Sequence, residues 1–340
     1  MEAVTRPLLT IAVPTWERAD HLDRLLASLV PQLDAAAPHG GASILVLDNA
    51  SSDRTPAVCA RYSGVVTTVR QPRHVGFDRN VLACYDRAAS EYVLFFGDDD
   101  VPDGTLVEEV AGLLRKHVPA VLTYSFRQPP HTDDRPTIDV AAPYIVSTTP
   151  SQAVPFLTRF LKLSTYCVAK RSWNPADRAA LESKIGTNYL FASLALLTFL
   201  REPERGCLLY RGALAGCSDG YNRNVRFEPG FFADRAAALA IGGPDCGGVL
   251  LDHASSDADR IRITLNDLTA HYRGDMTFAP EALEQAERTI WTRPRDLMEA
   301  TTLPALVEYL AAKHIARPAL RSWVLSVADP LRSIARLCRF

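Results

Sequence analysis

Glu91-Tyr-Val-Leu-Phe-Phe-Gly-Asp-Asp-Asp100 is a short apolar run that ends directly in three consecutive carboxylates. The apolar part, Tyr92–Phe96, is too short for a buried helix and rich in β-forming residues, so it reads as a strand covered on both faces. Working back, Val65–Val69, Ser43–Leu47 and Leu8–Val13 are three more runs of this kind. Between them the period changes. Leu22, Leu25, Leu26 and Leu29 recur at helical spacing, as do Val81, Leu82, Tyr85 and Ala89 within Asp78–Ala89. A helix is also expected after Asp48-Asn49, with Ser51 or Ser52 as its cap and Pro56 in its first turn. Past the acidic run, Leu106–Leu114 reads as helix and Ala120–Tyr124 as strand. Strand and helix alternating at this spacing imply βαβ units and a mostly parallel sheet. Ligands of such sheets sit beyond the carboxyl ends of the strands. Those ends carry Pro14-Thr15-Trp16-Glu17-Arg18, Asp48-Asn49, Arg70 and Asp98–Asp100, which the topology brings to one rim.

The 340 residues suffice for two domains or one large domain with an extension. The 47% apolar and 22% charged fractions exclude a disordered, collagen-like or coiled-coil chain. The 37 basic and 39 acidic residues leave a net charge of −2, against a dedicated nucleic-acid binder. Five basic residues are lysines (Lys116, Lys162, Lys170, Lys184 and Lys313) and the rest are arginines, a bias that suits phosphate contacts and also a GC-rich genome. The seven cysteines are odd in number and form no C-x-x-C pair, so neither a disulfide framework nor a structural zinc site is expected. No secretory signal precedes the first strand, and the longest apolar stretch, Tyr189–Leu200, is too short to span a bilayer. The expected compartment is therefore the cytoplasm.

After residue 126 the alternation breaks. Residues 127–150 carry five prolines and three aspartates and read as a long surface loop. A helix near Ser151–Leu163, a strand near Thr165–Ala169, a buried helix at Asn188–Arg201 and a strand near Cys207–Arg211 follow, and from about 255 the pattern is mainly helical. The expected division is at 1–126, 127–250 and 251–340, the last a helical extension.

Three adjacent acids repel one another. At about 5 Å and an effective dielectric of about 20, each like-charged pair costs roughly 3 kcal/mol. A divalent cation removes that penalty, and oxygen-only ligands suit the hard ions Mg²⁺ or Mn²⁺. A solvated turn that caps the next helix is the alternative.

Four segments together, Thr10–Arg18, Leu47–Asp53, Arg73–Asn80 and Glu91–Asp100, resemble family 2 glycosyltransferases of the GT-A fold, over roughly residues 8–126. The Gly-Asp-Asp-Asp ending and Gly-Phe-Asp-Arg-Asn80 look most like the abequosyltransferase-type branch, which handles deoxyhexoses for surface polysaccharides. The resemblance implies a Rossmann-like, mostly parallel sheet flanked by helices. It also implies a metal-dependent, inverting transfer of a sugar from a nucleotide-diphosphate donor to a glycan or lipid-linked acceptor. Pro14, Thr15, Trp16 and Arg18 would border the nucleotide, with Trp16 near the base and Asp48 accepting a hydrogen bond from it. Gly76, Asp78 and Asn80 would lie near the nucleoside and sugar. Asp98 would touch the ribose or the metal, Asp99 would join the donor site, and Asp100 would ligate the metal. Glu17 and His74 stand where the family often has Asn. Arg70, Arg73 and Arg79 could add contacts to the diphosphate.

An inverting transfer needs a general base for the acceptor hydroxyl. The segment Glu182–Tyr189 shows no acidic pair, which leaves Glu182 and Asp219 as candidates. Ser218–Asn224, flanked by Arg223 and Arg226, reads as a loop that closes over the diphosphate or as a plain connection. Residues 313–340 interleave basic and apolar side chains, as in a tail on the inner face of an anionic membrane or a terminal helix pair packed on the domain. A sugar-nucleotide nucleotidyltransferase and a non-catalytic nucleotide-sugar binder are the competing functions. The first is disfavoured because the N-terminus has no Gly-rich loop with a lysine. A dehydrogenase is disfavoured because no G-x-G-x-x-G follows the first strand.

Overall fold

The computed structural model describes residues 6–127, 137–138, 140–159 and 161–217, with 226–227, 238, 240–242 and scattered positions from 265 to 313. Contacts divide the chain into one unit of residues 1–221 and 232–250 and another of 222–231 and 251–340.

The first unit is built on one curled sheet of nine strands: β1 (Leu9–Thr15), β2 (Ala42–Asp48), β3 (Val66–Arg70), β4 (Tyr92–Phe95), β5 (Asp100–Pro102), β6 (Val121–Arg127), β7 (Tyr144–Ser147), β8 (Tyr166–Ala169) and β9 (Cys207–Cys217). Its order is β3-β2-β1-β4-β8-β6-β9-β5, and β7 also pairs with β9. The strands β1 to β4 pair in parallel, β8 runs against β4 and β6, and β9 is parallel to β6. Six strands therefore point one way, while β5, β7 and β8 point back. The register sets Thr15, Asp48 and Arg70 side by side at the ends of three neighbouring strands.

Alternation along each strand divides the core. Leu9, Ile11 and Val13 face α1 (Ala19–Leu29), α2 (Thr55–Arg61) and α4 (Leu106–His117). Ala12, Leu45, Leu47 and Phe95 face α3 (Phe77–Arg87), α5 (Pro150–Arg159) and α7 (Leu190–Arg201). The last is buried all round, as an apolar helix must be when helices and sheet surround it. The remaining helix, α6 (Pro175–Glu182), starts from Asn174, whose side chain accepts the Asp177 N–H.

The serines do not cap α2. Arg54 stands at the cap position without a side-chain capping bond, and Asp53 before it ties two helix starts together, its Oδ1 accepting the Thr55 N–H at 2.9 Å and its Oδ2 the Ala19 N–H of α1 at 3.1 Å. Ser51 instead accepts the Glu17 N–H at 2.8 Å, and Ser52 donates to the Glu17 carboxylate at 2.6 Å. The expected loop at 127–150 contains β7, because Tyr144-Ile-Val-Ser147 finds an edge on β9. The strand expected at Cys207–Arg211 runs on to Cys217.

In the second unit, β10 (Arg226–Phe227) pairs in parallel with β11 (Thr277–Phe278), and the other described positions from 265 onward are helical. Lys313 is ion-paired with Glu287 there. The rest of the basic tail lies outside the described residues, as do Asp219 and Arg223. Among the described residues no helix is long and apolar enough to cross a membrane.

Candidate functional site

A cleft of about 340 Å³ opens at the carboxyl ends of β1 and β4, a size typical of small-molecule sites. Its walls include Pro14, Thr15, Trp16 and Arg18 after β1, Asn49 after β2, His74, Phe77 and Asn80 around the start of α3, and Gly97–Asp100 after β4. Lys162 and Leu163, just ahead of β8, complete it. Segments far apart in sequence meet here because parallel strands deliver their loops to one edge.

The acidic run is the most constrained part. Asp98 is 7% exposed and Asp100 5%. Asp98 Oδ2 accepts the Thr15 hydroxyl at 2.7 Å, and its Oδ1 lies 3.4 Å from Arg18 Nη1. The same Arg18 nitrogen is 2.7 Å from Asp99 Oδ2. Asp100 Oδ2 accepts the Ser164 hydroxyl at 2.5 Å, and Oδ1 lies 3.0 Å from Lys162 Nζ. Gly97 leaves room for this arrangement, and its N–H donates to Ser164 Oγ at 2.8 Å. Burial pushes Asp98 up to about 7 and Asp100 up to about 6, in spite of Arg18 and Lys162. For Asp99 the balance reverses: Arg18 and Lys162 outweigh burial and hold it below the usual carboxylate range. Arg18 and Lys162 are held above their ordinary values, since carboxylates outweigh the burial that opposes their charge.

Trp16 is 47% exposed and packs against the His74 ring at a centroid distance of 4.5 Å. It is a surface aromatic on the cleft wall, not core. Phe77, also partly exposed, meets Phe191 edge to face at 6.4 Å. Asn49 ties the loops together, its Oδ1 accepting the Val75 N–H at 2.8 Å. Asn80 donates to the Leu47 carbonyl at 2.9 Å.

Other expected donor residues also hold the frame. Asp48 is buried, its Oδ1 accepting the Ser51 N–H at 2.9 Å and its Oδ2 held by Arg70 at 2.5 Å. Asp78 is buried too, and its carboxylate accepts the N–H groups of Gly186, Asn188 and Leu190 at 2.8, 2.9 and 3.3 Å. It pins the start of α7 to α3. Gly76 precedes α3 at φ 85° and ψ 164°, a region essentially reserved for glycine. Glu182 pairs with Arg178 at 2.7 Å, and Arg178 also grips Asp86, so Glu182 is the end of a surface ion network away from the cleft walls. Of the arginines, Arg70 is bound to Asp48 and the Ser51 carbonyl. Neither Arg73 nor Arg79 is among the cleft walls.

Asn49 is on the rim that the topology predicts, whereas Phe77, Lys162, Leu163 and Ser164 are not singled out by the sequence. Asn49 and Phe77 lie inside the quoted segments. Lys162 and Ser164 sit in an ordinary helix-to-strand connection, and only topology brings them to Asp100.

Among the described residues, no group of three or more His, Cys, Asp or Glu could hold a metal unaided. The donors are hard carboxylate oxygens on two alternate residues, which fits a Mg²⁺- or Mn²⁺-type ion completed by phosphate oxygens.

The fold is that of GT-A glycosyltransferases. Residues 1–349 of TarS from S. aureus share 13% identity, with 92% of each chain covered and a TM-score of 0.51. The same fragment in complex with UDP shares 15%, covering 95% of this chain and 87% of that one, at a TM-score of 0.50. At such identities the likeness concerns the fold alone. No curated protein matches the sequence. Residues 10–172, which hold every residue lining the cleft, match the model described as glycosyl transferase family 2, so over the whole of its candidate site the chain is similar to that family.

Proposed function

We propose that this protein is a metal-dependent, inverting glycosyltransferase that moves a sugar from a nucleotide diphosphate to an acceptor hydroxyl. The observation that carries this reading is the pair Asp98 and Asp100. Both are buried at the end of β4, in one cleft with the exposed Trp16–His74 pair. Trp16 offers a face for the base, worth about 1–3 kcal/mol where bases stack on aromatic side chains. Thr15 and Arg18 orient Asp98, while Ser164 and Lys162 orient Asp100. Asp98 and Asp100 would hold the divalent ion. When bound, that ion would neutralise charge on the departing nucleoside diphosphate. Arg18 would add a charge-assisted contact from the β1 side.

Similarity to family 2 over residues 10–172 supports sugar transfer. UDP is the first nucleotide to test, because the TarS fragment is solved with it. Deoxyhexose donors come first among sugars, on the Gly97–Asp100 and Gly76–Asn80 segments. A glycan or lipid-linked acceptor of surface polysaccharide synthesis, at the inner face of a membrane, completes the proposal.

The test is a thermal-shift grid of UDP, dTDP, GDP and CDP, each with and without Mn²⁺, on the wild type and Asp100→Asn. A ligand at about 100 times its dissociation constant adds roughly 2.7 kcal/mol. A shift for one nucleotide that needs Mn²⁺ and disappears in Asp100→Asn is expected. No shift with any of them at millimolar concentration refutes the reading.

A further inference from the structure

Two permanent cations line the cleft, Arg18 and Lys162. Arg18 belongs to a segment already assigned to the nucleotide, whereas Lys162 so far only orients Asp100. Its side chain is 23% exposed. The ammonium lies over the Phe126 ring at 5.1 Å, and its nitrogen is 3.0 Å from Asp100 Oδ1. The second oxygen of Asp100 is taken by Ser164. Both oxygens of this buried carboxylate are thus engaged by the protein itself, and one of the two partners is a full positive charge at the edge of the cleft.

That arrangement has a consequence for filling the site. Fully ionised, Asp98, Asp99 and Asp100 outnumber Arg18 and Lys162 by a single negative charge, a poor surface for a diphosphate. A divalent ion held by Asp98 and Asp100 would reverse the sign and repel the Lys162 ammonium from Asp100. The ammonium rests over the Phe126 ring, and Lys162 lines the cleft. A long, flexible ammonium suits that exchange better than a fixed guanidinium fork.

Resting on the glycosyltransferase reading, we propose that Lys162 is an exchanging cation of the donor site: it guards Asp100 in the empty protein and contacts the donor diphosphate in the filled one. Metal alone must compete with Lys162, whereas metal and diphosphate together do not, so each favours the other reciprocally.

The test uses the full chain and Lys162→Met, which keeps a flexible side chain of similar length and removes the charge. Mn²⁺ binding is followed by paramagnetic resonance without nucleotide. Binding of the nucleoside diphosphate that the wild type prefers among UDP, dTDP, GDP and CDP, and of its parent nucleoside, is followed by calorimetry. Lys162→Met is expected to bind Mn²⁺ about tenfold tighter and the diphosphate about tenfold weaker, with the nucleoside unchanged, the scale of one charge-assisted hydrogen bond. Unchanged Mn²⁺ affinity or unchanged diphosphate affinity overturns the proposal. Since Lys162→Met leaves a buried carboxylate with one partner fewer, a second comparison removes that burden. In EDTA, where only a weak metal-independent affinity remains and is read by NMR titration instead of a melting shift, Asp100→Asn with Lys162→Met should bind the diphosphate about tenfold more weakly than Asp100→Asn alone; equal binding overturns the assignment. A wild type that binds none of the four nucleotides refutes the glycosyltransferase reading itself, and Lys162 falls with it. Failure of Lys162 alone shows as a binding wild type and an indifferent variant.

Discussion

Replacing Gly97 by alanine puts one methyl group into the acidic turn. An ideal Cβ there stands 2.9 Å from Asp100 Oδ2, 3.2 Å from Asp99 Oδ1 and 3.4 Å from Ser164 Oγ. Relief to an ordinary contact needs Oδ2 to move by the difference between 3.4 and 2.9 Å, about half an ångström. Asp100 has nowhere easy to go, because Ser164 holds Oδ2 at 2.5 Å and Lys162 faces Oδ1 at 3.0 Å. The shift therefore costs one hydrogen bond to a charged group, about 1.5–3 kcal/mol. For a chain of this length each kcal/mol is worth about 1.4 °C, so melting should fall by about 2–4 °C. A binding group displaced on this scale also leaves its productive position, and the Mn²⁺-dependent part of nucleotide binding should weaken about tenfold. Differential scanning fluorimetry with and without nucleotide and Mn²⁺ measures both effects. Gly104→Ala is the control, since its Cβ meets nothing within 4 Å. If Gly97→Ala melts within about 1 °C of wild type and keeps the full metal-dependent shift, the turn is looser than described and the argument fails.

Gly76→Ala should lower stability by about 1–3 kcal/mol through backbone strain alone, because its Cβ meets nothing while φ is 85°. Gly64→Ala, equally open but without a left-handed φ, should be neutral or slightly stabilising, and equal losses at both sites would contradict this. Trp16→Ala should weaken nucleotide binding by about 1–3 kcal/mol and Trp16→Phe by less; calorimetry showing Ala and Phe alike would remove the stacking role. Asp177 is held below the usual carboxylate range by its hydrogen bonds to Arg201, the closest at 2.6 Å. A depressed folded-state value stabilises above the unfolded value and fades as pH falls through the folded one. The melting difference between wild type and Asp177→Asn should thus be full at neutral pH and shrink below about pH 4. A difference independent of pH would show that the pair contributes through packing.

The four parallel strands and their helices were legible because buried strands and amphipathic helices carry opposite periods. The rim followed from topology once those strands were placed, and eight of the expected residues, Pro14, Thr15, Trp16, Arg18, Asn80, Asp98, Asp99 and Asp100, line the cleft. A motif position does not reveal which way a side chain turns. Asp48 and Asp78 stand within recognisable segments, and their oxygens accept backbone N–H groups and, for Asp48, Arg70, partners that no motif names. Lys162 and Ser164 were hidden for another reason: antiparallel β8 slots between β4 and β6, a pairing that no local pattern encodes. The strand β7 was masked by the prolines around it. The helix α6, by contrast, had a visible start in Asn174-Pro175, and the sequence reading passed over it.

The position of β5 has a mechanical consequence. Phe95 closes β4 and Asp100 opens β5, yet β8, β6 and β9 stand between those strands in the sheet. Crossing four strand spacings on a flat surface takes about 19 Å. The chain between Phe95 and Asp100 reaches less, because a turn closed by the Asp100 N–H on the Gly97 carbonyl keeps those two residues within about 7 Å of each other. The acidic turn is a chord drawn across an arc of sheet, shorter than the arc it subtends. The closure of the acidic turn and the bend of the sheet are therefore mechanically tied. A ligand that gathers the two carboxylates tightens the arc, and a change that straightens β9, far away in sequence, pulls on the turn from behind.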